Sequence, residues 1–115
     1  MNVTIYHNPR CSNSRGALAL LRERGVEPEI VDYLGHPLDV AQLKALVQRI
    51  GVPLHDLLRT KEAAYAELDL GNPARTEDGL YAAVAAHPIL LNRPIVVTPK
   101  GALLCRQPAR VLELL

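Results

Sequence analysis

Tryptophan and phenylalanine are absent from this sequence, and methionine occurs once. The core must therefore be built of leucine, valine, isoleucine and alanine, and 115 residues suffice for one compact domain. Apolar runs are short, and no charged stretch at the start leads into an apolar one, so neither a membrane span nor a signal peptide is expected. Charge of one sign is lacking too. Thirteen Lys and Arg against twelve Asp and Glu leave a net charge of +1, which offers no general field for nucleic acid or a membrane surface. Cysteine is scarce: Cys11 and Cys105 stand at opposite ends of the chain. That is no disulfide framework, and a cytoplasmic location fits it best. Repeats, low-complexity tracts and an interdomain linker are also missing.

What is present is concentrated near the start. His7-Asn8-Pro9-Arg10-Cys11-Ser12-Asn13-Ser14-Arg15 follows the β-prone, alternating Val3-Thr4-Ile5-Tyr6 and precedes Gly16-Ala17-Leu18-Ala19-Leu20-Leu21. The first stretch reads as a strand and the last as a helix with Ala17, Leu18, Leu20 and Leu21 on one face. Pro9 turns the chain between them, which puts Cys11 at or just before the first helical turn. A thiol there meets unpaired main-chain N–H groups and the positive end of the helix dipole, both of which favour thiolate. Ser12 and Ser14 can add hydroxyl donors, and Arg10 or Arg15 positive charge. The same open amides make an anion site, so a nucleophile and an oxyanion pocket would share one loop. A lone cysteine is otherwise most simply a small buried hydrophobe; its place on a polar turn after a strand points the other way. His7 with Cys11 supplies too few ligands for a metal, and none is expected.

Gly25 suits a left-handed helix cap, after which Glu29-Ile30-Val31-Asp32-Tyr33 reads as a second strand parallel to the first. Asp39 caps a helix whose buried face is Val40, Leu43, Leu46, Val47 and Ile50, closed by Gly51. Helical pieces over 54–58, 62–68 and 77–87 follow, broken at Asn72-Pro73 and His87-Pro88. Pro94–Thr98 and Ala102–Cys105 flank Pro99-Lys100-Gly101 as a hairpin. Pro108 opens a last helix with Val111, Leu112 and Leu115 facing inward. The order predicts an α/β fold with α+β layers. It is thioredoxin-like: βαβ, a helical insert at about 39–88, then ββα around a four-stranded mixed sheet.

Three arginines lie at element edges. Arg59 follows Leu57-Leu58, Arg93 precedes the third strand, and Arg106 follows the fourth. An edge arginine is usually just solvated. Arg93 and Arg106 differ because the strands they flank should run beside the first strand, which brings their ends towards the Cys11 loop. A guanidinium fork is suited to a multiply charged oxyanion.

These residues also carry a family resemblance. His7-Asn8-Pro9 with Cys11 and Ser14-Arg15, then Leu57-Leu58-Arg59, His87-Pro88-Ile89-Leu90 running through Asn92-Arg93-Pro94 to Pro99, and Leu104-Cys105-Arg106 resemble, in order, the glutaredoxin-dependent arsenate reductases. The resemblance covers nearly the whole chain. It implies a thioredoxin-like fold, a catalytic thiolate at Cys11 stabilised by His7 and Ser14, and an oxyanion cradle of Arg59, Arg93 and Arg106. It also implies a cis peptide before Pro94. Ser12-Asn13 stands where relatives often have Gly-Thr, and Arg10 is bulky and charged.

The chemistry implied is reduction of arsenate to arsenite through a Cys11 adduct. Ser14 leaves Cys11 without a nearby resolving thiol, and Cys105 reads as structural. Electrons should therefore come from outside, from glutathione as cosubstrate and a glutaredoxin partner, with no bound cofactor. A monomer is expected. Three other readings compete with this one. A Cys-x5-Arg phosphatase loop would need arginine at position 17, which is Ala17. A regulator of RNA polymerase would carry Cys-x-x-Cys, where this chain has Ser14. The alternative left open is a glutathione-dependent thiol transferase acting on another substrate. His36, His55 and His87 read as surface or capping residues, and Glu77-Asp78 as a helix-start charge pair.

Overall fold

Val3 and Ile5 are buried while Thr4 and Tyr6 are half-exposed, the alternation expected of a sheet strand. The structure is a computed structural model and describes residues 2–115. Two compact units are present, one reaching His36 and continuing over Arg93–Leu115, the other Pro37–Asn92.

The first unit holds β1 (Thr4–Tyr6), α1 (Ser12–Glu23), β2 (Glu29–Val31), β3 (Ile95–Thr98), β4 (Gly101–Leu104) and a closing 3₁₀ helix, Pro108–Leu114. The four strands form one mixed sheet in the order β2-β1-β3-β4. β1 runs parallel to β2 and antiparallel to β3, with Ile5 opposite both Ile30 and Val96. This is the α/β, thioredoxin-like fold that the element order predicts. The sheet departs from the expected pairing at one strand. Only β3 lies beside β1, and β4 is the outer strand of the hairpin. The tight turn at Pro99-Lys100 makes β3 and β4 neighbours, so just one of them can also pair with β1.

Ser14, Ala17, Leu18 and Leu21 are the buried stripe of α1, at helical spacing, with Leu20 half-buried at its margin. Ala17, Leu18 and Leu21 meet Val3, Ile5, Val96, Cys105, Val111 and Leu114 in one apolar cluster. The closing segment departs from the expected α-helix. Its 3₁₀ period of three buries Val111 and Leu114, and leaves Leu112 36% exposed. The Thr98 hydroxyl donates to the Leu114 carbonyl at 2.8 Å, and the Lys100 N–H donates to the Thr98 hydroxyl at 3.1 Å. These bonds tie the last turn to the hairpin.

The second unit contains α2 (Val40–Ile50), a 3₁₀ turn at Leu54–Leu57, α3 (Ala63–Glu67), α4 (Glu77–Ala86) and another 3₁₀ turn at Pro88–Leu90. Asp39 and Gln42 form a reciprocal capping box at the start of α2. Gly51 ends the helix at φ 84°, a conformation that glycine adopts without penalty. The Thr76 hydroxyl accepts from the Gly79 N–H at 3.1 Å and caps α4. Leu58 and Leu91 make an isolated antiparallel bridge, flanked by Arg59 N–H to Leu90 O at 2.7 Å and Asn92 N–H to Leu57 O at 2.8 Å. Among the described residues no helix is long and apolar enough to cross a membrane.

Candidate active site

Asn8 shapes the turn between β1 and α1. Its side-chain oxygen accepts from the Arg10 N–H at 2.9 Å, and its carbonyl accepts from the Cys11 N–H at 3.0 Å. Arg15 closes the other side, its Nη1 donating to the Pro9 carbonyl at 2.8 Å. Cys11 is thereby set at the N-cap of α1 in extended conformation, φ −93° and ψ 123°, with partial exposure.

Three influences compete on its sulfur. Burial is the largest and would push the thiol up. Against it act the main-chain N–H groups of Ser14 and Asn13 and then the Arg93 guanidinium, by hydrogen bond and by charge; together they hold Cys11 below its ordinary value. The amides are the donors that a helix start leaves free. Arg93 is thus the cation acting on Cys11, while Arg15 is engaged by Pro9.

His7 and Ser14 are both buried. Ser14 Oγ lies 2.7 Å from His7 Nδ1 and accepts from the Asn8 N–H at 3.0 Å. Its hydroxyl is therefore engaged within the loop, and Ser14 addresses the sulfur through its main chain. Burial, followed by the charge of Arg22, holds His7 below its ordinary value; Asp32 opposes them.

The Arg93–Pro94 peptide is cis, as the resemblance implies. Two bonds close the base of the hairpin beside it: Cys105 N–H to Pro94 O at 2.8 Å and Arg106 Nη1 to Arg93 O at 3.0 Å. Arg106 therefore stays beside Arg93 although its strand is the outer one. Arg59 belongs to the 37–92 unit, where its Nη1 pairs with Glu62 Oε1 at 2.5 Å. Cys105 is fully buried, its thiol pushed up to about 11 by burial.

Over residues 6–114 the sequence matches the model of the ArsC family. The chain belongs to the ArsC family. It is 46% identical to an arsenate reductase of Rhizobium meliloti, over 100% of this chain and 82% of that protein. It is 47% identical to the Escherichia coli uncharacterized protein YfgD, over 97% of this chain and 95% of that one. An arsenate reductase structure from Vibrio cholerae superposes with a TM-score of 0.97 at 46% identity, covering 100% of this chain and 98% of the other.

In this ArsC-family chain two further residues of the loop, Asn8 and Asn13, have roles of their own. Asn8 organises the turn, and the signal for it was there: an Asn-Pro pair followed by polar residues is an Asx-turn pattern. Asn13 contributes only its amide, so no side-chain pattern could single it out. An open groove of about 720 Å³ runs along α1 past His7, Pro9, Arg15, Leu18 and Arg22. Cys11 is not among the residues that line it. Among the described residues no group of three His, Cys, Asp or Glu side chains could hold a metal ion.

Proposed function

We propose that this protein reduces arsenate to arsenite through Cys11. The observation that carries the reading is the ionisable sulfur at the start of α1, faced by two main-chain amides and by Arg93. The Cys11 thiolate attacks arsenic(V), and an arsenate oxygen leaves as water after taking up protons, forming a sulfur–arsenic bond. Arg93 and Arg106 steady the negative charge that gathers on the remaining oxygens. His7 and Ser14 hold the loop in the shape that presents the sulfur. Arg59 joins the anion-binding set on the strength of the family resemblance.

Reduction of arsenic(V) to arsenic(III) takes two electrons. Cys11 provides one thiol and glutathione the second: the glutathione thiolate attacks the Cys11 sulfur, the sulfur–arsenic bond breaks with its electron pair going to arsenic, arsenite leaves, and a mixed disulfide remains. A glutaredoxin then takes the glutathione moiety and regenerates the Cys11 thiol. What supports an external donor is that the other cysteine, Cys105, is fully buried with its thiol pushed up to about 11. The two free thiols also accord with a reducing, cytoplasmic setting.

The test is arsenate-dependent NADPH oxidation in a system of glutathione, glutathione reductase and glutaredoxin. Turnover is expected with the natural chain and none with Cys11→Ser. Ordinary thiol transfer without any arsenate-stimulated turnover would point to the transferase alternative. Arg59→Ala, assayed the same way, is expected to raise the arsenate KM; an unchanged KM removes Arg59 from the set.

A further inference from the structure

Gly16 lies in α1 where the closing 3₁₀ helix packs against it. A Cβ placed on Gly16 would stand 2.9 Å from Pro108 Cγ and 3.3 Å from Pro108 Cβ, whereas ordinary contact begins at 3.4 Å. Pro108 is the first residue of the 3₁₀ helix, and its ring fixes its own φ. A change of ring pucker can relieve the Cγ contact, but the Cβ contact at 3.3 Å remains, and relieving it takes a translation of a few tenths of an ångström.

The chain just before it has little slack. Cys105 is fully buried and hydrogen-bonded through its N–H to Pro94 O at 2.8 Å. Only Arg106 and Gln107 separate that anchor from Pro108. A shift at Pro108 is therefore taken up at Arg106, the residue whose Nη1 reaches the Arg93 carbonyl.

We infer that Gly16 is a positioning residue, which by admitting Pro108 against α1 sets the station of Arg106 for gripping the oxyanion. The inference rests on the reading of Arg106 as an anion-binding group. It predicts that Cys11 keeps its own determinants, the amides of Asn13 and Ser14 and the Arg93 guanidinium, because Pro108 and not α1 is the partner that moves.

The test uses protection of Cys11 by arsenate against iodoacetamide, a neutral reagent. Gly16→Ala is expected to weaken arsenate protection about tenfold or more, since sub-ångström misplacement of a binding group has effects of that order. Its alkylation rate without arsenate, and the pH midpoint of that rate, should match the natural chain. Adding Pro108→Ala removes the offending Cγ and is expected to restore most of the protection. Pro108→Ala alone leaves α1 untouched and loosens the contact, so it too should weaken protection, which keeps a readout should Gly16→Ala not fold. Natural-strength protection in either single variant, or no recovery in the double variant, overturns the inference. If arsenate fails to protect the natural chain at all, the proposed function falls and this inference with it.

Discussion

Ser14 Oγ is 2.7 Å from His7 Nδ1 and also receives the Asn8 N–H at 3.0 Å. A hydroxyl has one proton and two lone pairs, so with one lone pair taken by the Asn8 N–H it can still join the imidazole in either tautomer. What disfavours the charged ring is its burial, 8% exposed, followed by the charge of Arg22.

Stability should therefore depend on pH through His7. Burial, with Arg22 next, lowers its folded value below the ordinary 6.5. Between the folded and unfolded values the unfolded chain binds more protons, so stability rises with pH across that interval. The contribution is complete above 6.5 and is lost as pH falls below it. Urea unfolding midpoints followed from about pH 7.5 down to 5 should drop, and His7→Asn should flatten that drop. An equally steep fall in the variant would assign the effect to other groups.

Cys11 should alkylate as a thiolate with a pH midpoint below the 9.0 of an ordinary thiol. Removing one of the groups that lower it must move the midpoint up, and Arg93→Ala is the substitution that does so without touching the loop. Peptide mapping after iodoacetamide treatment reads both cysteines at once. Cys105, buried and raised to about 11, should stay unlabelled until the protein unfolds.

Arg93 and Arg106 should separate in the same experiment. Arg93 acts on the sulfur, while Arg106 reaches the Arg93 main chain. Arg106→Ala is expected to raise the arsenate KM about tenfold or more, the scale of losing a hydrogen bond to a charged group. Its reactivity towards iodoacetamide should be unchanged. If Arg106→Ala slows alkylation as much as it weakens arsenate handling, Arg106 serves the nucleophile instead of the anion.

The sequence was most readable where one local rule decided the outcome. Asp39, Gly51 and Thr76 each cap a helix as their chemistry requires, and the Val3–Tyr6 alternation marks β1. Cys11 was legible because strand, proline turn and helix leave few places for it. Strand neighbours were not: whether β3 or β4 pairs with β1 is settled by long-range packing, which no local pattern contains. Nor was the hydroxyl of Ser14, whose partners His7 and Asn8 depend on how tightly the turn closes. The Gly16–Pro108 approach joins residues far apart in sequence, so the glycine looked like any weak helix former.

The closing segment supplies a stability test of the same distinction. Read as an α-helix, the closing segment would bury Val111, Leu112 and Leu115; as a 3₁₀ helix it keeps Val111 buried and buries Leu114 in place of Leu112. Leu114 is 5% exposed within the cluster that contains Ile5 and Leu21, whereas Leu112 is 36% exposed. Truncating a packed leucine leaves a cavity as well as losing apolar burial, so Leu114→Ala should cost about 2–5 kcal/mol. Leu112→Ala, at the surface, should stay within about 0.5 kcal/mol. Urea unfolding of the two variants measures both. The reverse order, with Leu112→Ala the costly change, would restore the α-helical period and displace Leu114 from the core.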